Sequence, residues 1–135
     1  MLDDDCHLRR GEIAEFSGLT FSDALKRSRQ LMSKQHFYVK LIPPRPTFPM
    51  DMSPDERAIM QQHIAYTTDL FAQGKVLIFG PVLDPLHPFG MAVFEVVSET
   101  EVVQLLNGDP SVSCGLNQFT VTPMKLGAAQ SSHPR

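Results

Sequence analysis

A chain of 135 residues with a formal net charge of −3 at pH 7 and 42% hydrophobic residues is long enough for one domain with a true core. Its charges are scattered, which removes the electrostatic footprint of a nucleic-acid binder. No run of about 18 apolar residues occurs, so no membrane-spanning helix is expected. The first ten residues, MLDDDCHLRR, turn from acidic to basic without an apolar centre, unlike a secretory signal or a transit peptide. The two cysteines, Cys6 and Cys114, are far apart and outside any C-x-x-C spacing, so neither a disulfide framework nor a zinc site is expected. The default compartment is the reducing cytoplasm.

Residues 1–35 read as an N-terminal extension, disordered at first and then able to form a helix over 20–34, with Thr20 or Ser22 as its cap. From His36 the texture changes. His36 to Ile42 alternates, with Phe37, Val39 and Leu41 on one face and His36, Tyr38, Lys40 and Ile42 on the other, which predicts a strand. Pro43 and Pro44 stop it and open a proline-rich loop to Met52 that carries Arg45 and Phe48. Ser53, Pro54 and Glu56 form a capping-box start, and Met60, His63, Ile64, Thr67, Leu70 and Phe71 follow at helical spacing. Gly74 ends this helix.

Val76 to Phe79 reads as a buried strand from its continuous apolarity. Gly80-Pro81 bends it, Asp84 to Pro88 makes a turn, and Phe89 to Val97 returns as the second arm of a hairpin. Ser98 and Glu101 repeat the capping box before a second amphipathic helix, closed by Asn107-Gly108. Asp109 to Val112 reads as one more turn, Cys114 as a small apolar residue near a strand start, and Leu116 to Met124 as the last strand. Residues 127–135 read as a disordered tail.

The order β-α-β-β-α-β predicts an α+β, ferredoxin-like fold: a four-stranded antiparallel sheet with two helices on one face. The other face is left uncovered and half apolar, so a homodimer packed sheet to sheet is the expected partner arrangement.

Three stretches carry a likeness to a known family: HFYVKLIPPRP at the first strand, RAIMQQHIAYTTDLFAQGKVLIFGPVLDP through the helix histidine and the turn, and EVVQLLNGDPSVSCGLNQFTVTPM at the end. In this ordered set the chain resembles the YciI-like (YCII-related) family of dimeric α/β-barrel proteins over roughly residues 36–124. The domain is drawn at 36–126. The resemblance implies a His-Asp pair for acid/base chemistry, which falls on His63 and Asp84.

The residues by themselves leave other readings open. His63 serves equally as a core histidine satisfied by backbone, and Asp84 before Pro85 is common turn chemistry. Arg45 fits a substrate carboxylate or phenolate through its planar fork, or is solvated. Phe48 walls a pocket or pins its loop, and Tyr38 lines the same pocket or packs in the core. His7, His36, His87 and His133 read as surface or terminal residues. No metal, phosphate-cradle or serine-nucleophile motif occurs, and no cofactor is expected. The function expected is cofactor-free isomerisation, elimination or hydrolysis of a small, aromatic or lactone-like metabolite by His63 and Asp84, with Arg45, Phe48 and Tyr38 binding substrate. The alternative is a non-enzymatic small-molecule-binding or dimeric interaction module of the same fold.

Overall fold

The computed structural model describes Thr20, Ser22 and residues 33–130. The chain divides into two units, Met1–Lys34 and Gln35–Arg135. The extension expected to be disordered and then helical falls almost wholly outside the described residues, as does the end of the tail.

In the second unit, four strands form one sheet in the order β2-β3-β1-β4: β1 (Gln35–Ile42), β2 (Val76–Val82), β3 (Phe89–Val96) and β4 (Gln118–Met124). All three neighbour pairs are antiparallel. Alternation decides the faces. Phe37, Val39 and Leu41 are buried on one side of β1 and lie opposite Phe94, Ala92 and Gly90 of β3. Two longer helices, α2 (Pro54–Ala72) and α3 (Glu99–Asn107), cover that side. Leu70, Val102 and Leu106 join the strand residues in a single core. Two one-turn helices, α1 (Phe48–Asp51) and α4 (Pro110–Ser113), precede α2 and β4. This is the expected ferredoxin-like arrangement, with the loop before α2 and the turn at Asp109 each tightened into a helical turn.

The helix signals act as their chemistry dictates. The Ser53 hydroxyl accepts from the Glu56 N–H, and the Glu56 carboxylate accepts from the Ser53 N–H. Gly74 follows α2 with φ of 82°, a left-handed conformation that favours glycine. Ser98 caps α3 by accepting from the Glu101 N–H.

Strand β2 departs from expectation. It lies at an edge of the sheet and is not buried on both faces; Ile78 is 55% exposed. A register shift between Val76 and Ile78 inserts one residue, so Val76 and Phe79 both face the helices although they are three apart. Continuous apolarity there came from a bulge, not from two-sided burial. The last strand also starts later than expected, at Gln118. Cys114 is exposed in the turn before it.

The pairing registers place three connections at one end of the sheet. Ile42, the end of β1, pairs with Gln118, the start of β4. Leu41 pairs with Gly90, and Phe89 with Val82, which brings the β2–β3 turn to the same end. The β1–α2 loop, the β2–β3 turn and the α3–β4 connection therefore surround one opening.

Candidate active site

A cavity of about 340 Å³ lies at that opening, between α2 and the helix-facing side of the sheet. Val39, Phe79, Ala92 and Phe94 form its floor, and Phe48, Met52 and Met60 part of its wall. Among the described residues, the polar side chains that line it are those of His63, Thr67, Asp109 and Asn117, and no lysine or arginine does. Thr67 is engaged locally, its hydroxyl donating to the His63 carbonyl at 3.0 Å.

His63 reaches this cavity because it lies on the inward stripe of α2 with Met60, Thr67 and Leu70. Its Nδ1 stands 2.6 Å from Oδ2 of Asp109. Asp109 is only 2% exposed. The packing of the two helices brings it there. Gly108 meets Tyr66 so closely that a Cβ at Gly108 would stand 2.6 Å from the Tyr66 hydroxyl oxygen. That hydroxyl donates to the Leu105 carbonyl at 2.8 Å, tying the end of α3 to the middle of α2. The residue after Gly108 then falls against His63, one turn before Tyr66.

Asp109 is also the N-cap of α4. Its Oδ1 accepts from the Ser111 N–H at 2.8 Å and from the Ser111 hydroxyl at 2.9 Å. With Oδ1 taken up by Ser111, Oδ2 is left for His63, and an ionised Asp109 accepts there from a proton on Nδ1. The Nε2 lone pair is then free. Nε2 has no hydrogen-bond partner among the described residues, and no fully buried polar side-chain atom there lacks one, so Nε2 is open to the cavity.

The carboxylate at His63 is thus Asp109, and the expected pairing with Asp84 is corrected. Asp84 is exposed in the β2–β3 turn, where its Oδ1 accepts from the N–H groups of Leu86 at 2.9 Å and His87 at 3.0 Å. Those bonds, that to His87 first, hold its carboxyl below the usual carboxylate range. This is the turn chemistry that an Asp-Pro step supports by itself.

Of the other expected residues, Phe48 lies in the cavity wall and is buried. Arg45 does not line the cavity. Its guanidinium donates to both oxygens of Glu56, to Oδ1 of Asp51 and to the Asp51 carbonyl, all at 2.8–3.0 Å. It stands 5.3 Å over the Phe48 ring. The Arg45 hydrogen bonds, ahead of the Ser53 N–H, lower the Glu56 carboxyl to about 2. With its fork taken up this way, Arg45 braces the β1–α2 loop and the start of α2 instead of facing a ligand. Tyr38 is on the opposite face of the sheet from the cavity, paired across strands with Val93 and Thr122. Strand alternation forbids it from sharing a pocket with Val39.

Among the described residues no cluster of three or more His, Cys, Asp or Glu is placed to hold a metal ion, and no helix is long and apolar enough to cross a membrane.

The model of the YCII-related domain matches residues 36–125. The chain belongs to this family. No curated protein sequence matches it significantly. Among solved structures it is similar to 5-chloro-2-hydroxyhydroquinone dehydrochlorinase from Burkholderia phenoliruptrix AC1100, in complex with 2,5-dihydroxybenzoquinone. The likeness has 22% identity and a TM-score of 0.52, and covers 67% of this chain and 95% of that one. At that identity it speaks for the fold. Asp109 stands in this YCII-related domain within the run DPSVSCGL, the part of the sequence likeness that follows α3.

Proposed function

We propose that this protein is a small acid/base enzyme in which His63 transfers the proton and Asp109 orients it. The observation that carries this reading is the 2.6 Å contact from His63 Nδ1 to Asp109 Oδ2, with Nε2 left open to an apolar cavity. Asp109 locks the tautomer and steadies the imidazolium that forms when Nε2 takes up a proton. The base would remove a proton from an acidic O–H or C–H of a bound molecule. Isomerisation follows when the imidazolium returns that proton to another atom of the same molecule. Elimination follows when an anion leaves with its bonding pair and the proton passes to solvent. The lining suits a compact, largely apolar substrate of ring size. The ligand of the dehydrochlorinase relative, a small quinone, makes hydroxylated or halogenated rings the first compounds to test.

The experiment is turnover of such rings by the wild-type protein and by His63→Ala and Asp109→Asn. Loss of turnover in both variants with the fold retained supports the reading. Turnover that survives in both removes the pair from the mechanism, and binding of these rings without turnover by the wild type leaves a binding module.

The same reading includes a homodimer formed sheet to sheet. The face away from the helices carries Tyr38 and Ile42 of β1, Val93 of β3, Ile78 of β2 and Met124 of β4, and Ile42, Ile78 and Met124 are among the exposed large apolar residues. Light scattering at micromolar concentration should give twice the chain mass. A monomer there would overturn the dimer but not the acid/base pair.

A further inference from the structure

Asn117 lines the cavity and takes no part in the acid/base pair. It is only 3% exposed. Its backbone N–H donates to the Ser111 carbonyl at 2.9 Å. Ser111 is also the residue whose N–H and hydroxyl hold Asp109. Asn117 is therefore fixed to the same platform as the carboxylate of the pair. Among the described residues its side-chain Nδ2 donates only to the Met60 thioether, at 3.4 Å, a weak acceptor. That contact orients the carboxamide, because a carbonyl oxygen gains nothing from facing a sulfur lone pair. Oδ1 accepts from no donor among the described residues. Since no fully buried polar side-chain atom there lacks a partner, Oδ1 keeps accessible surface, and the surface available to so buried a residue is the cavity it lines.

We infer that Asn117 is a specificity-determining residue that accepts a hydrogen bond from a substrate hydroxyl, which makes the ligand an uncharged, largely apolar ring bearing hydroxyl groups. This deepens the acid/base reading and rests on the same cavity. Two acceptors, Asn117 Oδ1 and His63 Nε2, face a mostly apolar space whose other polar side chains, Thr67 and Asp109, are engaged with the His63 carbonyl and with Ser111 and His63, and among the described residues no lysine or arginine lines it to hold an anion. A ligand lacking a donor would leave the buried carboxamide oxygen dehydrated and unpaired. A hydroxylated ligand satisfies it, and a site of this kind rejects the analogue without the hydroxyl more strongly than an apolar pocket can.

The test compares 4-fluorophenol with fluorobenzene, which differ in one hydroxyl, by fluorine NMR titration of the full chain. Wild-type protein should prefer the phenol by about tenfold, from one or two hydrogen bonds of ordinary net strength. Asn117→Leu, which keeps the branching and the number of side-chain heavy atoms of asparagine, should lose several-fold of that preference while fluorobenzene affinity stays the same or rises. Asn117→Ala is read in the same way if the leucine variant does not fold. A wild-type protein without preference, or variants that retain the full preference, would overturn the assignment. Because binding is read without turnover, this result is independent of whether His63→Ala abolishes a reaction.

Discussion

The chain contains two Asp-Pro steps that close the same end of the sheet, Asp84-Pro85 and Asp109-Pro110. Their local chemistry is nearly identical. In each, a carboxylate oxygen accepts the N–H of the residue two positions on, Leu86 in one and Ser111 in the other. Their surroundings differ completely. Asp84 is exposed, and its accepted bonds come from its own turn. Asp109 is buried, and its second oxygen meets a histidine 46 residues earlier in the chain. A turn motif thus fixes a carboxylate relative to its own backbone but says nothing of what the other oxygen meets. That is decided by which helix packs over the turn, here α2 against α4.

The sharpest way to break this comparison is to neutralise each carboxylate. Asp109→Asn should lower turnover on the order of 10³-fold, because an amide can present its N–H to His63 and stabilise the wrong tautomer. Asp84→Asn should leave turnover within about twofold. Steady-state kinetics of the two variants decide it, and equal losses would place both loops in the mechanism. Next in size is stability. Asp109→Ala leaves three buried donors without an acceptor and should destabilise the fold by about 2–4 kcal/mol, read by urea denaturation. Ser111→Ala removes one of the two bonds to Oδ1 and should cost about 1 kcal/mol, with a smaller loss of turnover than Asp109→Asn.

The smallest effect is that of pH on the Asp84 turn. Its carboxyl lies below the ordinary value in the folded chain, so its contribution to stability is full above about pH 3.8, the unfolded value. It fades as the pH falls through the depressed folded value. Glu56 has the same sign over a wider window, from its ordinary 4.5 down to about 2. Acid should therefore loosen the Arg45 brace. Amide signals of Leu86 and His87 followed from pH 5 to pH 2 report the first effect, and those of Ser53 and Glu56 the second. Asp84→Asn should abolish the first without altering the second.

Much of the fold was legible because its signals are local. The alternation of Phe37, Val39 and Leu41, the Ser53–Glu56 box and the Ser98 cap each depend on residues within one turn or strand. β2 was misread because a bulge and an edge position produce the same apolar run as double-sided burial. The histidine was legible from the stripe of α2. Its partner was not, although DP-x-x-x-x-G-L lay in plain view, because an Asp-Pro step reads the same at both turns. A usable signal did exist. Asn107-Gly108 ends an amphipathic helix just before Asp109, so that aspartate follows directly on a packed element, whereas Asp84 follows a bent edge strand. Arg45 was mistaken for a ligand-binding residue because its acceptors lie 6 and 11 positions ahead, across a loop whose path no periodicity reports.

The sequence by itself determined the strands, the capped helices, their order and hence the topology, since hydrophobic period and capping are properties of neighbouring residues. Only the tertiary structure decided which carboxylate meets His63, which side of the sheet holds the cavity wall and which polar groups face it unpaired. Those outcomes depend on how closely α2 and α3 approach at Gly108 and Tyr66, a contact between residues 42 positions apart. Nothing in the local pattern of either helix encodes that distance.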